Sequence, residues 1–143
     1  MKTFSIAIHG GAGTLVKGMM TTELEKQYKA ALKEALYAGY SVLESGGTSI
    51  EAVEKAVIVL EDSHLFNAGK GAVFTADETH EMDASIMNGK NLNAGAVSLI
   101  SGIKNPISLA HDVMEKSEHV FLAGEGAVQF AKMTNFAIDP ASY

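Results

Sequence analysis

Residues 67–74 read Asn-Ala-Gly-Lys-Gly-Ala-Val-Phe, and residues 8–13 read Ile-His-Gly-Gly-Ala-Gly. Glycine is concentrated in these two stretches, and each interrupts the pattern of a regular element, which indicates loops with a specified backbone geometry. Neither stretch contains an obvious nucleophile, general base or cluster of metal ligands. If the chain serves an enzyme, we expect it to supply walls and hydrogen-bond donors while the attacking group comes from elsewhere.

The composition predicts one domain, or part of a larger one, because the chain has 143 residues of which 47% are hydrophobic. Its 17 acidic and 11 basic residues give a net charge of -6, and lysine and arginine form no run. This balance argues against nucleic acid or an anionic membrane as a partner. Without cysteine there is neither a disulfide framework nor a thiolate site, and the first apolar stretch is too short for a signal peptide. We therefore expect a cytoplasmic protein.

Local patterns predict the first elements of the fold. Residues 4–8 alternate large apolar with small side chains, as in an interior strand that is buried on both faces. A capping box of Thr22 and Glu25 predicts a helix that ends at the glycine pair 46–47. A second box, Thr48 with Glu51, predicts another helix that runs into the turn before residue 66.

The second half of the chain predicts strands, followed by helices. The expected elements are strands at 71–75, 82–88 and 94–100, a hairpin turn at 88–91, a helix capped by Asn105 with Pro106 in its first turn, an extended piece at 120–122 and a helix at about 124–133. This order predicts an α+β fold in which helices are layered on an antiparallel sheet. Because one sheet face has little to cover it, the chain resembles half of a sandwich.

The first glycine loop, residues 10–13, permits two interpretations. Its successive amides could converge on a phosphate, as in a stand-alone anion-binding or nucleotide-binding module. A tight structural turn is favoured, because the dinucleotide fingerprint needs a third glycine that opens a helix, and here the helix begins only near Thr22. His9 could brace this loop or could be a core histidine.

Two further polar segments have competing interpretations. The group Asp77, Glu78, His80, Glu81 and Asp83 could ligate a metal, but a polar turn between strands explains it more simply. The turn at 60–70 could direct main-chain oxygens at a hard cation, or could simply bind water. Within that turn, Asn67 could fix a neighbouring backbone or could be a turn residue that tolerates left-handed geometry.

Three motifs together resemble the plant-type L-asparaginase/isoaspartyl peptidase family. These are residues 8–13, residues 65–74 and residues 82–89, which read Met-Asp-Ala-Ser-Ile-Met-Asn-Gly. The segments 93–97, 105–106 and 124–127 also follow the order of the family, so the resemblance extends from about residue 6 to residue 133. Each glycine motif alone is weak, but their joint order is specific.

The resemblance implies an N-terminal-nucleophile hydrolase, made as a precursor that cleaves itself into an α chain and a β chain. It further implies a four-layer αββα sandwich shared between the two chains, an (αβ)2 heterotetramer, and hydrolysis of β-aspartyl dipeptides and L-asparagine to L-aspartate. The nucleophile would be the threonine at the start of the β chain, activated by its own α-amine. Thr14 and Thr48 are not assigned as nucleophiles, because they belong to a glycine loop and to a helix cap.

On this chain, the resemblance implies supporting roles. Gly10, Gly11 and Gly13, beside His9, would shape the loop next to the nucleophile and affect self-cleavage, and Asn67 would position the threonine or its scissile peptide. Main-chain oxygens would bind a structural sodium ion at Leu60, Glu61, Ser63, Phe66, Ala68 and Lys70. A glycosylasparaginase, which has the same fold and nucleophile, is the sibling alternative, and the glycine loop at 9–13 argues against it.

Overall fold

The computed structural model of the chain describes residues 3–13, 18 and 20–136. Within these residues the chain is a mixture of helices and strands, which agrees with the predicted α+β class. The elements are α1 (Thr22–Glu44), α2 (Ser49–Glu61), a short 3-10 turn (Gly69–Gly71), β1 (Met82–Met87), β2 (Ala94–Ile100), α3 (Pro106–Lys116), β3 (Phe121–Ala123) and α4 (Gly124–Met133).

Helix α1 begins one residue away from the expected cap. The hydroxyl of Thr21, not that of Thr22, accepts a hydrogen bond from Leu24 N, and Glu25 forms an ion pair with Lys29 instead of completing a capping box. The predicted N-cap was therefore wrong by one residue, because Thr21, which precedes Thr22, occupies the capping position.

The C-terminus of α1 and the start of α2 agree with the prediction. Gly46 has a φ of 88°, and the amides of Gly46 and Gly47 donate to the carbonyls of Leu43 and Val42. This Schellman arrangement closes the last turn of α1. Thr48 and Glu51 then form the predicted reciprocal capping box, which starts α2 directly after the glycine pair.

The sheet has the order β1-β2-β3 and is mixed. Strands β1 and β2 are antiparallel, whereas β3 is parallel to β2, so the expected all-antiparallel sheet was wrong at β3. The predicted strand at 71–75 was also wrong: it begins in the 3-10 turn, and its only ladder contact among the described residues is one bridge between Phe74 and His80. Glycines at 69 and 71 favour a tight turn over an extended strand.

A bulge interrupts the pairing of β1 and β2. Asp83 lies opposite Ser98 and Leu99, between the pairs Met82 with Ile100 and Ala84 with Val97. The Asp83 carboxylate accepts hydrogen bonds from Ser98 Oγ at 2.6 Å and Leu99 N at 2.9 Å. Both bonds favour the charged form, so they lower the pKa of Asp83, with the Ser98 bond the larger cause. The bond to Leu99 also holds that residue in a left-handed conformation, φ 53°.

Helix α3 covers one face of the sheet. Gly95 allows this contact, because a Cβ there would lie 2.1 Å from Ala110 O. The fully buried core side chains between α3 and the strands include Val97, Ile100, Ile103, Leu109 and Val113. On the opposite face, Met87 and Phe121 are each 56% exposed. The described residues therefore leave one sheet face largely uncovered, as the element order predicted.

Residues 3–10 alternate between exposed and partly buried, as in an extended segment, but they pair with none of the described strands. Phe4 packs on Tyr40 with ring centroids 5.2 Å apart, and Ile6 fits against Gly39, where α1 and α2 are close. Residues 5, 7 and 9 are exposed, so the expected burial on both faces was wrong. Nothing among the described residues covers this second face.

Among the described residues, no helix is both long and apolar enough to cross a membrane.

Candidate functional site

The two glycine-rich loops, far apart in sequence, line one cavity. Its volume is about 1010 Å³. Side chains of α1 and α2 contribute to its walls. The described lining residues are Ile8, His9, Gly10, Gly11, Gly13, Tyr28, Leu32, Lys33, Leu36, Val57, Leu60, Leu65, Phe66, Asn67, Ala68 and Val73.

The physical need for glycine differs among the three glycine positions of the first loop. A Cβ on Gly10 would lie 2.9 Å from both Leu32 Cδ2 and Phe66 Cε1, so this position needs the absence of a side chain. Gly11 has a φ of 101°, which L side chains rarely adopt. Gly13 has neither constraint within the described residues.

His9 does not have the burial of a core histidine. Its side chain is exposed, and it forms no hydrogen bond within the described residues. The core interpretation was therefore wrong. His9 stands at the edge of the cavity beside the glycines.

The second loop, residues 62–73, is held by its own hydrogen bonds. Ala68 N donates to Phe66 O at 2.8 Å, and Gly71 N donates to Ala68 O at 3.1 Å. A Cβ on Gly71 would lie 2.1 Å from Phe66 O and 3.0 Å from His64 O, so only glycine allows the chain to fold back on itself here. The buried ring of Phe66 is packed edge-on against Tyr28 of α1.

The Asn67 side chain closes this loop. Its Oδ1 accepts a hydrogen bond from Val73 N at 3.0 Å. Because the acceptor atom of the amide is occupied in this way, the orientation of the amide is fixed and Nδ2 is left as the donor of a side chain that lines the cavity. Asn67 is therefore held as a hydrogen-bond donor by its own loop.

A buried carboxyl anchors the start of the loop, and sequence reasoning missed it. Glu61, 2% exposed at the end of α2, accepts a hydrogen bond from Ile107 N at 2.9 Å and one from Asn105 Nδ2 at 3.3 Å. Asn105 is the N-cap residue of α3 and Pro106 follows it, as predicted, but the Asn105 side chain forms no capping hydrogen bond, and the Glu61 carboxyl accepts from Ile107 N in its place. The available signal was an acidic residue at a helix C-terminus, where the helix dipole disfavours it.

Burial is the main reason why the pKa of Glu61 is raised to about 7. The bonds from Ile107 and Asn105 act in the opposite direction, while the nearby carboxylates of Asp62 and Glu54 raise it further. Asp62 also accepts from Asn105 Nδ2, at 3.2 Å. These contacts link the end of α2 to the start of α3.

The acidic group at 77–83 is dispersed in the structure. Thr75 and Thr79 organise its turn, with the two hydroxyls 2.8 Å apart, and Asp83 belongs to the sheet bulge. Nowhere in residues 3–13, 18 and 20–136 do three or more carboxyl or imidazole side chains come together as a possible metal site. The main-chain positions predicted for sodium are distributed over the end of α2, the loop that follows it and the 3-10 turn.

Comparison with known proteins accounts for this arrangement. A family model described as asparaginase (Asparaginase_2) matches residues 1–143. The chain belongs to the asparaginase family. It is 54% identical over 127 residues to an isoaspartyl peptidase/L-asparaginase of Xenopus laevis, covering 89% of this chain and 40% of that protein.

Other members of the asparaginase family give the same picture. A plant-type L-asparaginase of Pyrococcus abyssi is 51% identical over 132 residues, which is 92% of this chain and 42% of that protein. An isoaspartyl peptidase of Escherichia coli K12 is 49% identical over 126 residues, which is 88% of this chain and 39% of that protein. The chain thus spans about 40% of the length of the curated relatives it matches.

The predicted site residues form two groups, which are the residues expected beside the nucleophile and the positions expected to bind sodium. His9, the three loop glycines and Asn67 all line the cavity. Of the sodium positions, Leu60, Phe66 and Ala68 also line it. Tyr28 and Lys33, which the sequence did not single out, contribute the remaining polar side chains of the wall. Thr14 lies outside the described residues.

Proposed function

We propose that this chain is the α part of an isoaspartyl peptidase with L-asparaginase activity. It acts with a β chain of the same precursor, released by self-cleavage, and hydrolyses β-aspartyl dipeptides and L-asparagine to L-aspartate in the cytoplasm. The β-chain threonine hydroxyl attacks the side-chain carbonyl, its own α-amine takes the proton, and the amine or ammonia departs. Water then releases aspartate from the acyl-enzyme.

The observation that carries this proposal is the composition of the cavity. Two loops with constrained geometry converge on it, yet its described lining residues include no serine, threonine or cysteine. A site of this kind positions a reacting group that another segment contributes. The names of the relatives, which are isoaspartyl peptidases and L-asparaginases, supply the chemistry of that group.

Asn67 supports the reaction as a positioning residue. Its Nδ2 is oriented as a donor because Val73 N occupies Oδ1. A donor fixed before the reaction needs no reorganisation when charge develops or when a threonine must be aligned. In this role Asn67 holds the β-chain threonine and, before cleavage, the peptide that precedes it.

A structural sodium ion fits the composition of the loop after α2. Hard cations prefer oxygen ligands, and the proposed set consists of main-chain oxygens of Leu60, Glu61, Ser63, Phe66, Ala68 and Lys70. When bound, the ion would stiffen the loop that carries Asn67 and would take no part in bond cleavage.

The assembly we propose is a four-layer αββα sandwich, with two αβ pairs in an (αβ)2 heterotetramer. Two features of the described residues support a shared fold: the outer face of the sheet is uncovered, and residues 3–13 have no partner strand. Strands of the β chain would cover the outer face of the sheet and would pair with residues 3–13.

The test uses the full-length precursor. Mass spectrometry should find two chains, the second starting with threonine, and the processed protein should release aspartate from β-aspartyl dipeptides and from L-asparagine. Preferential hydrolysis of glycosylated asparagine would instead identify a glycosylasparaginase. An uncleaved protein that binds inorganic phosphate in calorimetry would favour the anion-binding module.

Two substitutions of Asn67 separate its role in the loop from its role in the site. Asn67→Asp keeps the oxygen that Val73 N needs but removes the Nδ2 donor, whereas Asn67→Ala removes both. We expect both variants to lower kcat by about tenfold or more, with Asn67→Asp closer to the parent in stability. Full activity and complete self-cleavage in Asn67→Asp would contradict the donor role.

A further inference from the structure

The hairpin between β1 and β2 contains the chain's sole asparagine that is followed by glycine, at Asn88-Gly89. We propose that Asn88 is a deamidation site in the folded protein, which converts to isoaspartate and aspartate. This proposal stands independently of the function proposed above. It concerns a loop outside the cavity, and it follows from how that loop disposes the two reacting groups.

The nucleophile of the reaction is accessible. The attacking atom is the backbone nitrogen of Gly89, and within the described residues its N–H has no hydrogen-bond acceptor. Gly89 is exposed, and a Cβ built on it would meet no atom within 4 Å. Neither a hydrogen bond nor a neighbouring side chain shields this nitrogen from hydroxide.

The electrophile is polarised. Asn88 Oδ1 accepts a hydrogen bond from Lys90 N at 3.0 Å. A donor on a carbonyl oxygen stabilises the negative charge that develops there when a nucleophile adds to the carbon. Two backbone bonds anchor the loop around this pair: Asn88 N donates to Asn93 O, and Leu92 N donates to Asn88 O, each at 2.8 Å.

The reaction is balanced with water alone. Hydroxide removes the Gly89 amide proton, the nitrogen bonds to Asn88 Cγ, and Nδ2 leaves as ammonia to give a cyclic imide. Water then opens the imide at either carbonyl, which yields aspartate or an isoaspartyl linkage. The product carries one additional negative charge, and in the isoaspartyl form one extra methylene in the backbone at the end of β1.

The loop supplies internal controls. Asn91 and Asn93 lie in the same exposed turn but are followed by Leu92 and Ala94. The side chains of Leu92 and Ala94 shield their own backbone nitrogens, which would be the attacking atoms. Gly89→Ala is a matched variant, because its Cβ has open space and its φ is not positive. It should fold like the parent while protecting the Gly89 nitrogen.

The experiment incubates full-length protein at mildly alkaline pH and maps its peptides by mass spectrometry, with enzymatic methylation to identify isoaspartate. We expect conversion at Asn88 but not at Asn91 or Asn93, and conversion slower by about tenfold or more in Gly89→Ala. The folded protein should convert at least as fast as the same protein unfolded in urea. Conversion about tenfold slower in the folded protein, or equal at all three asparagines, would overturn the proposal.

Discussion

The two loops that line the cavity are stabilised in opposite ways. Residues 62–73 form a closed network, with Asn67 bonded to Val73 at one end and Glu61 bonded to the start of α3 at the other. Residues 3–13 form no backbone hydrogen bond with the described residues and depend on side-chain packing along one face. The loop at residues 62–73 is therefore preformed by this chain, whereas residues 3–13 have no hydrogen-bonded neighbour among the described residues.

The largest expected effect is at the centre of the preformed loop. Gly71→Ala would place a Cβ 2.1 Å from Phe66 O, a backbone atom that cannot move without opening the loop. We expect a loss of about 3 kcal/mol or more in the free energy of unfolding, measured by denaturant titration of the full-length protein. Gly13→Ala is the matched control in the other loop, since its Cβ would meet none of the described atoms within 4 Å. Equal stability of the two variants would contradict the difference proposed between the preformed loop and residues 3–13.

Glu61 should be the next most sensitive position. Glu61→Ala removes the acceptor for Ile107 N and leaves a buried donor without a partner. The expected cost is about 1–3 kcal/mol in the free energy of unfolding. Glu44→Ala is the comparison, because Glu44 also lies in the last turn of a helix but is exposed. If both substitutions cost the same, the buried cap does not anchor the loop.

The same carboxyl predicts a dependence on pH. Burial raises the pKa of Glu61 to about 7 from its ordinary value of 4.5, so the folded protein binds this proton more tightly than the unfolded chain does. The resulting stability is complete below the unfolded value and is lost as pH rises through about 7. Asp62 and Glu54 also face this carboxyl and act in the same direction.

Glu61→Gln tests this dependence, because it keeps a carbonyl acceptor for Ile107 N and removes the titration. Between about pH 5 and pH 8 the parent should lose about 1–3 kcal/mol of stability relative to this variant. Denaturant titrations at both pH values measure the difference. Parallel pH profiles for the two proteins would show that Glu61 does not change its protonation on unfolding.

The elements that the sequence predicted well are those with local causes. The reciprocal cap of Thr48 and Glu51 and the Schellman end at Gly46 need only residues that are neighbours along the chain, and both are present as expected. The capping hydrogen bond of α3 is different. Its acceptor is Glu61, which is remote in sequence, so no local pattern around Asn105 could identify it.

Strand assignments failed where pairing decides the outcome. Residues 4–8 have the alternation of a strand, but a strand needs a neighbour, and the described residues provide none. Residues 71–75 begin in a 3-10 turn because Gly71 must approach Phe66 O. For the candidate site, the glycine motifs correctly indicated special backbone at both loops. They could not reveal that Asn67 Oδ1 is occupied, since that depends on the position of Val73 N.

The smallest expected effect is in the loop without backbone bonds. Gly11 has a φ of 101°, so Gly11→Ala forces a side chain into a conformation that costs about 1–2 kcal/mol. Because the described residues hold this loop only by packing, the backbone can relax locally, and we expect a loss of stability well below that of Gly71→Ala. Under the proposed function, the fraction of precursor that self-cleaves should fall more than stability does, since the loop lies at the cavity. A loss of stability as large as that of Gly71→Ala would show that the rest of the full-length protein makes this loop as rigid as the preformed one.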